Sequence, residues 1–112
     1  MINEQLSDEH RYLVLEMGMR HEGDIAELAR IAAPDIAVLT SIGIAHLESM
    51  GSIEASEQEK LSLLEFLPPE GDAVVNGDDR RIMAAVKGAK FGLTVVSTSP
   101  GVGDLWATEI SY

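Results

Sequence analysis

LVLEMGMRHEGDIAELARIAAPDIAVLTSIGIAHLE, residues 13–48, reads as strand, loop, helix, strand and loop, and the fold class follows from that order. Leu13-Val14-Leu15 is a short apolar run that stops at Glu16, and Gly18 and Gly23 punctuate the loop after it. Asp24 is a candidate N-cap for a helix whose Ile25, Leu28, Ala29 and Ile31-Ala32 recur at helical spacing. Pro34 ends that helix, and Asp35 to Leu39 begins a second apolar strand. In an open parallel sheet, ligands gather at the carboxyl ends of the strands. Glu16 and His46 fall at or just beyond two such ends.

The rest of the chain continues the alternation. Ser52 is a candidate N-cap for a helix through about Leu67, with Ile53, Leu61, Leu64 and Leu67 as an apolar stripe. Pro68-Pro69 stops it, and Ala73-Val74-Val75 is a third strand ending in Asn76-Gly77-Asp78-Asp79. A helix from about Asp79 to Lys87 follows, then a strand at Leu93–Val96 and a final strand over Leu105–Ile110. Strands alternating with helices predict βαβ units, hence an α/β fold with a three-layer, mainly parallel sheet and flanking helices. All 112 residues read as one domain.

Composition narrows the function classes. The net charge is −11, with 8 Lys and Arg against 19 acids, so no basic stripe exists for a nucleic acid. No apolar run approaches the roughly 20 residues of a membrane span, and MINEQLSDEH lacks a signal-peptide pattern. With no cysteine there is neither a disulfide framework nor a thiolate metal site, which fits a reducing, cytoplasmic setting. GxxxxGK[ST], GxGxxG and Gly-x-Ser-x-Gly are all missing.

Each polar candidate has an ordinary reading beside the functional one. Glu16 fits a solvated strand end as well as a ligand, and a lone loop histidine such as His46 is usually incidental; His10 and His21 sit in polar surroundings. Lys60 could simply pair with Glu57 three residues earlier. Asn76-Gly77-Asp78-Asp79 fits a capped strand-to-helix turn as well as a site, and Trp106 fits a core or interface aromatic. Taken together, an acid, an imidazole and an amide or carboxylate on one sheet edge suit Mg²⁺ or Mn²⁺ more than a structural zinc.

The order and wording of LEMGM (15–19), GDIAELARIAAPDIAVLTSIG (23–43), AHLESMGS (45–52), LPPEGDAVVNGDD (67–79) and DLWATEI (104–110) resemble the central, ATP-binding domain of the Mur ligases of peptidoglycan synthesis. The resemblance implies that Glu16 and His46 help hold magnesium. It also implies that Lys60, fourteen residues after the histidine, is carbamylated and bridges to metal, and that Asn76 contacts the nucleotide base region. The implied reaction is ATP-dependent amide formation: a carboxylate of UDP-N-acetylmuramoyl-tripeptide becomes an acyl phosphate, and the amine of D-alanyl-D-alanine displaces phosphate. ATP and Mg²⁺ are the implied cofactors. Ser41 stands where the family often has asparagine, and Thr98-Ser99-Pro100 replaces a common Phe-Gly turn.

The family's Gly-rich P-loop would precede the Glu16 strand, so the expectation is a partial central domain that is inactive alone. Without that strand the sheet would expose an apolar edge and invite self-association. The alternative from another class is a stand-alone binding or interaction module that kept the fold and lost the chemistry.

Overall fold

The computed structural model describes residues 6–43 and 51–109. The elements, in order, are α1 (Asp24–Ala32), β1 (Ile36–Leu39), α2 (Ile53–Ser62), a 3₁₀ turn (Leu63–Phe66), β2 (Asp72–Asn76), α3 (Arg80–Ala85), β3 (Gly92–Ser97) and β4 (Leu105–Trp106). The strands form one parallel sheet in the order β1-β2-β3-β4. Ile36 lies opposite Asp72, and Asp72 opposite Gly92, so the carboxyl ends of the first three strands share one edge. This is the parallel sheet with flanking helices that the alternating pattern predicts.

The core forms where α2 and α3 cover one face of that sheet. Leu39, Ala73, Val75 and Val95 from the strands pack with Ile42 and with Ile82 and Val86 of the α3 region. Leu61, Leu64 and Leu67 of the expected stripe close over the cluster together with Leu63, but the helix expected to run to about Leu67 ends at Ser62 and a 3₁₀ turn carries the chain on. Alternate β1 residues point away from this core, leaving Ile36 and Val38 53% and 58% exposed. Among the described residues, β1 pairs only with β2.

Helix ends follow local chemistry in two cases of three. The Ser52 hydroxyl accepts the Ala55 N–H at 3.0 Å and starts α2. Asp79 starts α3, accepting from the Arg81 and Ile82 N–H groups. Asp24, expected as the cap of α1, is not: Gly23 takes that position with φ 95°. The Asp24 carboxylate instead turns back to the Arg20 and His21 N–H groups at 2.7 and 2.8 Å. Those two donors hold its carboxyl below the usual range.

Three further expectations need correction. Leu13–Leu15 is not a strand; Val14 is 93% exposed and Glu16 is exposed with it. A strand exists only through its ladder partners, and three apolar residues without one gain nothing from extending. The final strand is the pair Leu105–Trp106, with Ile110 outside the described residues. Trp106 is half-exposed, which removes the core reading and leaves the interface one.

Gly77 shows why the turn after β2 has its sequence. Its N–H reaches the Val96 carbonyl at 2.7 Å, and a Cβ there would stand 2.6 Å from the Val95 side chain. Only glycine lets the turn lie this close to β3.

Candidate functional site

The shared carboxyl edge of β1, β2 and β3 is tied together by side chains rather than by ladder bonds alone. Thr40, Ser41 and Ile42 leave β1 in succession, and each is held from another element. The Asn76 amide, at the end of β2, donates to the Thr40 carbonyl at 2.8 Å and accepts the Asp78 N–H at 2.9 Å. The Lys60 Nζ, on α2, donates to the Ser41 carbonyl at 3.0 Å. Asp79 Oδ2 accepts the Ile42 N–H at 2.8 Å, and Arg81 Nη1 reaches the Ile42 carbonyl at 3.5 Å.

Electrostatics fits this bonding. Burial alone would raise the Asp79 carboxyl, but the N–H groups of Ile42, Arg81 and Ile82 outweigh it and hold it below its ordinary value. Asp78 is drawn down to about 2 by the Ser97 hydroxyl, then by the Thr98 N–H and hydroxyl. Through Asp78 the turn after β2 also grips the end of β3. Both carboxylates are ionised at pH 7, and they are engaged in holding backbone N–H groups and the Ser97 and Thr98 hydroxyls.

The structure thus brings Asn76 and Lys60 onto adjacent carbonyls, although their sequence positions are far apart. Glu16 is exposed on the segment before α1, and His46 lies outside the described residues. Lys60 does not form the expected pair with Glu57. Glu57 faces Arg81 instead, Oε2 to Nε at 3.4 Å. Among the described residues, no three of His, Cys, Asp and Glu gather closely enough to hold a metal ion. The described residues therefore do not assemble a metal site by themselves. Lys60 offers a cation unless it is carbamylated.

Glu59 is the residue that sequence reasoning missed. It is 5% exposed, and its two oxygens accept the Gly23 and Ile25 N–H groups at 2.9 and 2.7 Å. A carboxylate is favourable at a helix N-terminus, and here it arrives from α2 rather than from α1 itself. The available signal was a charged residue three positions after Ser56 on the buried side of α2. A groove of about 580 Å³ beside α1 is lined by Met19, Arg20, Asp24, Leu28 and Ile31. It includes none of the groups at the strand ends.

The whole chain, residues 1–112, matches the family described as the Mur ligase middle domain. The chain belongs to that family. Over 100 residues it is 42% identical to UDP-N-acetylmuramoyl-tripeptide--D-alanyl-D-alanine ligase of Mycobacterium bovis, covering 89% of this chain and 19% of that protein. MurF from Acinetobacter baumannii superposes with a TM-score of 0.82 at 31% identity, covering 96% of this chain and 23% of that one. MurF from Thermotoga maritima, solved in complex with ADP, superposes at 0.75 and 30% identity, with 86% and 22% covered. This Mur ligase middle domain therefore spans about a fifth of the length of the relatives it matches.

Proposed function

We propose that the chain serves as the nucleotide-handling middle part of an ATP-dependent ligase that joins D-alanyl-D-alanine to UDP-N-acetylmuramoyl-tripeptide. The observation that carries the reading is the meeting of Asn76 and Lys60 on adjacent carbonyls, Thr40 and Ser41, at the carboxyl edge of the sheet. That edge is where open parallel sheets bind ligands. The likeness to a MurF structure holding ADP supports a nucleotide there.

In this reading the tripeptide carboxylate attacks the γ-phosphorus of ATP and ADP leaves. The D-alanyl-D-alanine amine then attacks the acyl carbon, loses a proton and expels phosphate. Asn76 meets the base region; its one remaining amide hydrogen and a free lone pair on Oδ1 are available for that contact. Lys60 acts as a carbamate. The carbamate, formed when the neutral amine adds carbon dioxide and releases a proton, would keep one N–H, enough to retain the Ser41 carbonyl. Glu16, His46 and the carbamylated Lys60 would be the oxygen and imidazole donors for Mg²⁺. When bound, the metal offsets charge on the transferring phosphoryl group.

Work on nucleotide-linked precursors with ATP belongs in the cytoplasm, and no helix among the described residues is long and apolar enough to cross a membrane. On its own the chain is inactive in this account, and the β1 edge, unpaired among the described residues, with exposed Ile36 and Val38 favours self-association. The test is ADP release by the full-length protein in the steady state, over many turnovers, since one round of ADP formation precedes the attack of D-alanyl-D-alanine. Release that requires both substrates, and that K60A abolishes, supports the reading. Release that ignores D-alanyl-D-alanine, or an unaltered K60A, contradicts it.

A further inference from the structure

The segment Thr40–Ile42 is a small platform on which the proposed site rests. Asn76 and Lys60 each donate to one of its carbonyls. What fixes the platform comes from the first turn of α3. Asp79 takes the N–H of Ile42 and Arg81 reaches its carbonyl, so both polar groups of one residue are held by the same turn. Arg81 is braced in its turn by Glu57 of α2, the helix that carries Lys60.

Asp79 is a helix cap, but capping does not explain its identity. Ser, Thr, Asn and Asp all cap well. Only Asp among them offers two acceptor oxygens, and here both are used. Oδ1 takes the Arg81 and Ile82 N–H groups, and Oδ2 takes Ile42, 37 residues away in sequence. Serine would reach the helix and fall short of Ile42. Asparagine would present an amide N–H either to Ile42 or to the Arg81 and Ile82 donors. Ile42 is 6% exposed, so water is a poor substitute for the lost acceptor.

We propose that Asp79 is a positioning residue: one oxygen starts α3, and the other holds the strand-exit segment on which Asn76 and Lys60 converge. This rests on the ligase reading for its kinetic consequence, but its geometric consequence stands apart. Loosening Ile42 releases the Ser41 carbonyl and with it the Lys60 amine.

The experiment compares the full-length protein with its D79S and D79N variants. D79S retains a capping hydroxyl, so α3 keeps its start, but the buried Ile42 N–H loses its acceptor and the variant melts below the unsubstituted protein; kcat is therefore compared well below both midpoints. Its kcat for ADP release falls by about tenfold or more, while KM for D-alanyl-D-alanine is unchanged, as expected from misplacing groups rather than losing a binding contact. D79N falls between the two. In bicarbonate-free buffer, where Lys60 is the free amine, its labelling by an amine-selective acylating reagent, followed by mass spectrometry, is faster in D79S. That second readout needs no ligase activity: an inactive parent with faster Lys60 labelling in D79S sinks the ligase reading and keeps the positioning role. Unchanged kcat together with unchanged Lys60 labelling overturns the proposal, as does a kcat loss that only follows the unfolded fraction.

Discussion

Two apolar stretches of this chain end in polar residues, and they have opposite fates. Ile36–Leu39 pairs with β2, and every residue that follows it through Ile42 is held by a side chain from another element. Leu13–Leu15 pairs with nothing described and leaves Val14 93% exposed. The two runs have similar composition. The difference is that β1 has a ladder on one side and four reaching groups, Asn76, Lys60, Asp79 and Arg81, at its exit. Order in this domain comes from partners distant in sequence, and hydrophobicity alone does not supply it.

The comparison breaks most sharply at Glu59, which carries the tethering principle to α1. Replacing it by alanine leaves the Gly23 and Ile25 N–H groups without acceptors in a buried place. E59A is expected to destabilise by about 3 kcal/mol, read from the denaturation midpoint, with E59Q recovering part of the loss. A midpoint unchanged in E59A would mean that α1 is not held by this carboxylate. A smaller loss is expected at Gly77, where an added methyl meets Val95. G77A should cost about 1–3 kcal/mol, and a neutral result would mean that the turn after β2 is looser than its contact to β3 implies. The smallest effect lies in the untethered stretch. V14K should move stability by no more than about 0.5 kcal/mol and should improve solubility; a large loss would show that Val14 has a partner.

Much of the fold was legible because its signals are local. Apolar runs mark β1, β2 and β3, Ser52 and Asp79 announce two helices, and Pro34 ends another. The misreadings share one cause. Leu13–Leu15 has strand composition without a partner. Asp24 has cap chemistry but is drawn back to Arg20 and His21, while Glu59 supplies the acceptor from 34 residues away. Lys60 lies at helical spacing from Glu57, yet tertiary partners claim both.

The site was legible in part for a different reason. Asn76 and Lys60 were singled out by motif wording, and the fold does bring them to one edge. Asp79 reads in sequence as a cap or as part of a site, and its hold on Ile42 is not legible there because the second oxygen acts across the fold. Glu16 and His46 rest on expected strand ends and on the motif; Glu16 ends no strand, and His46 lies outside the described residues.

Hydrogen exchange of the protein, resolved to single amides, tests the central claim most directly. Local opening sets exchange rates, so tethered backbone should exchange slowly even outside strands. The account predicts strong protection of the Ile42 and Ile25 amides and rapid exchange across residues 12–17, despite their similar apolar character. Equal protection in the two stretches, or rapid exchange at Ile42, would contradict it.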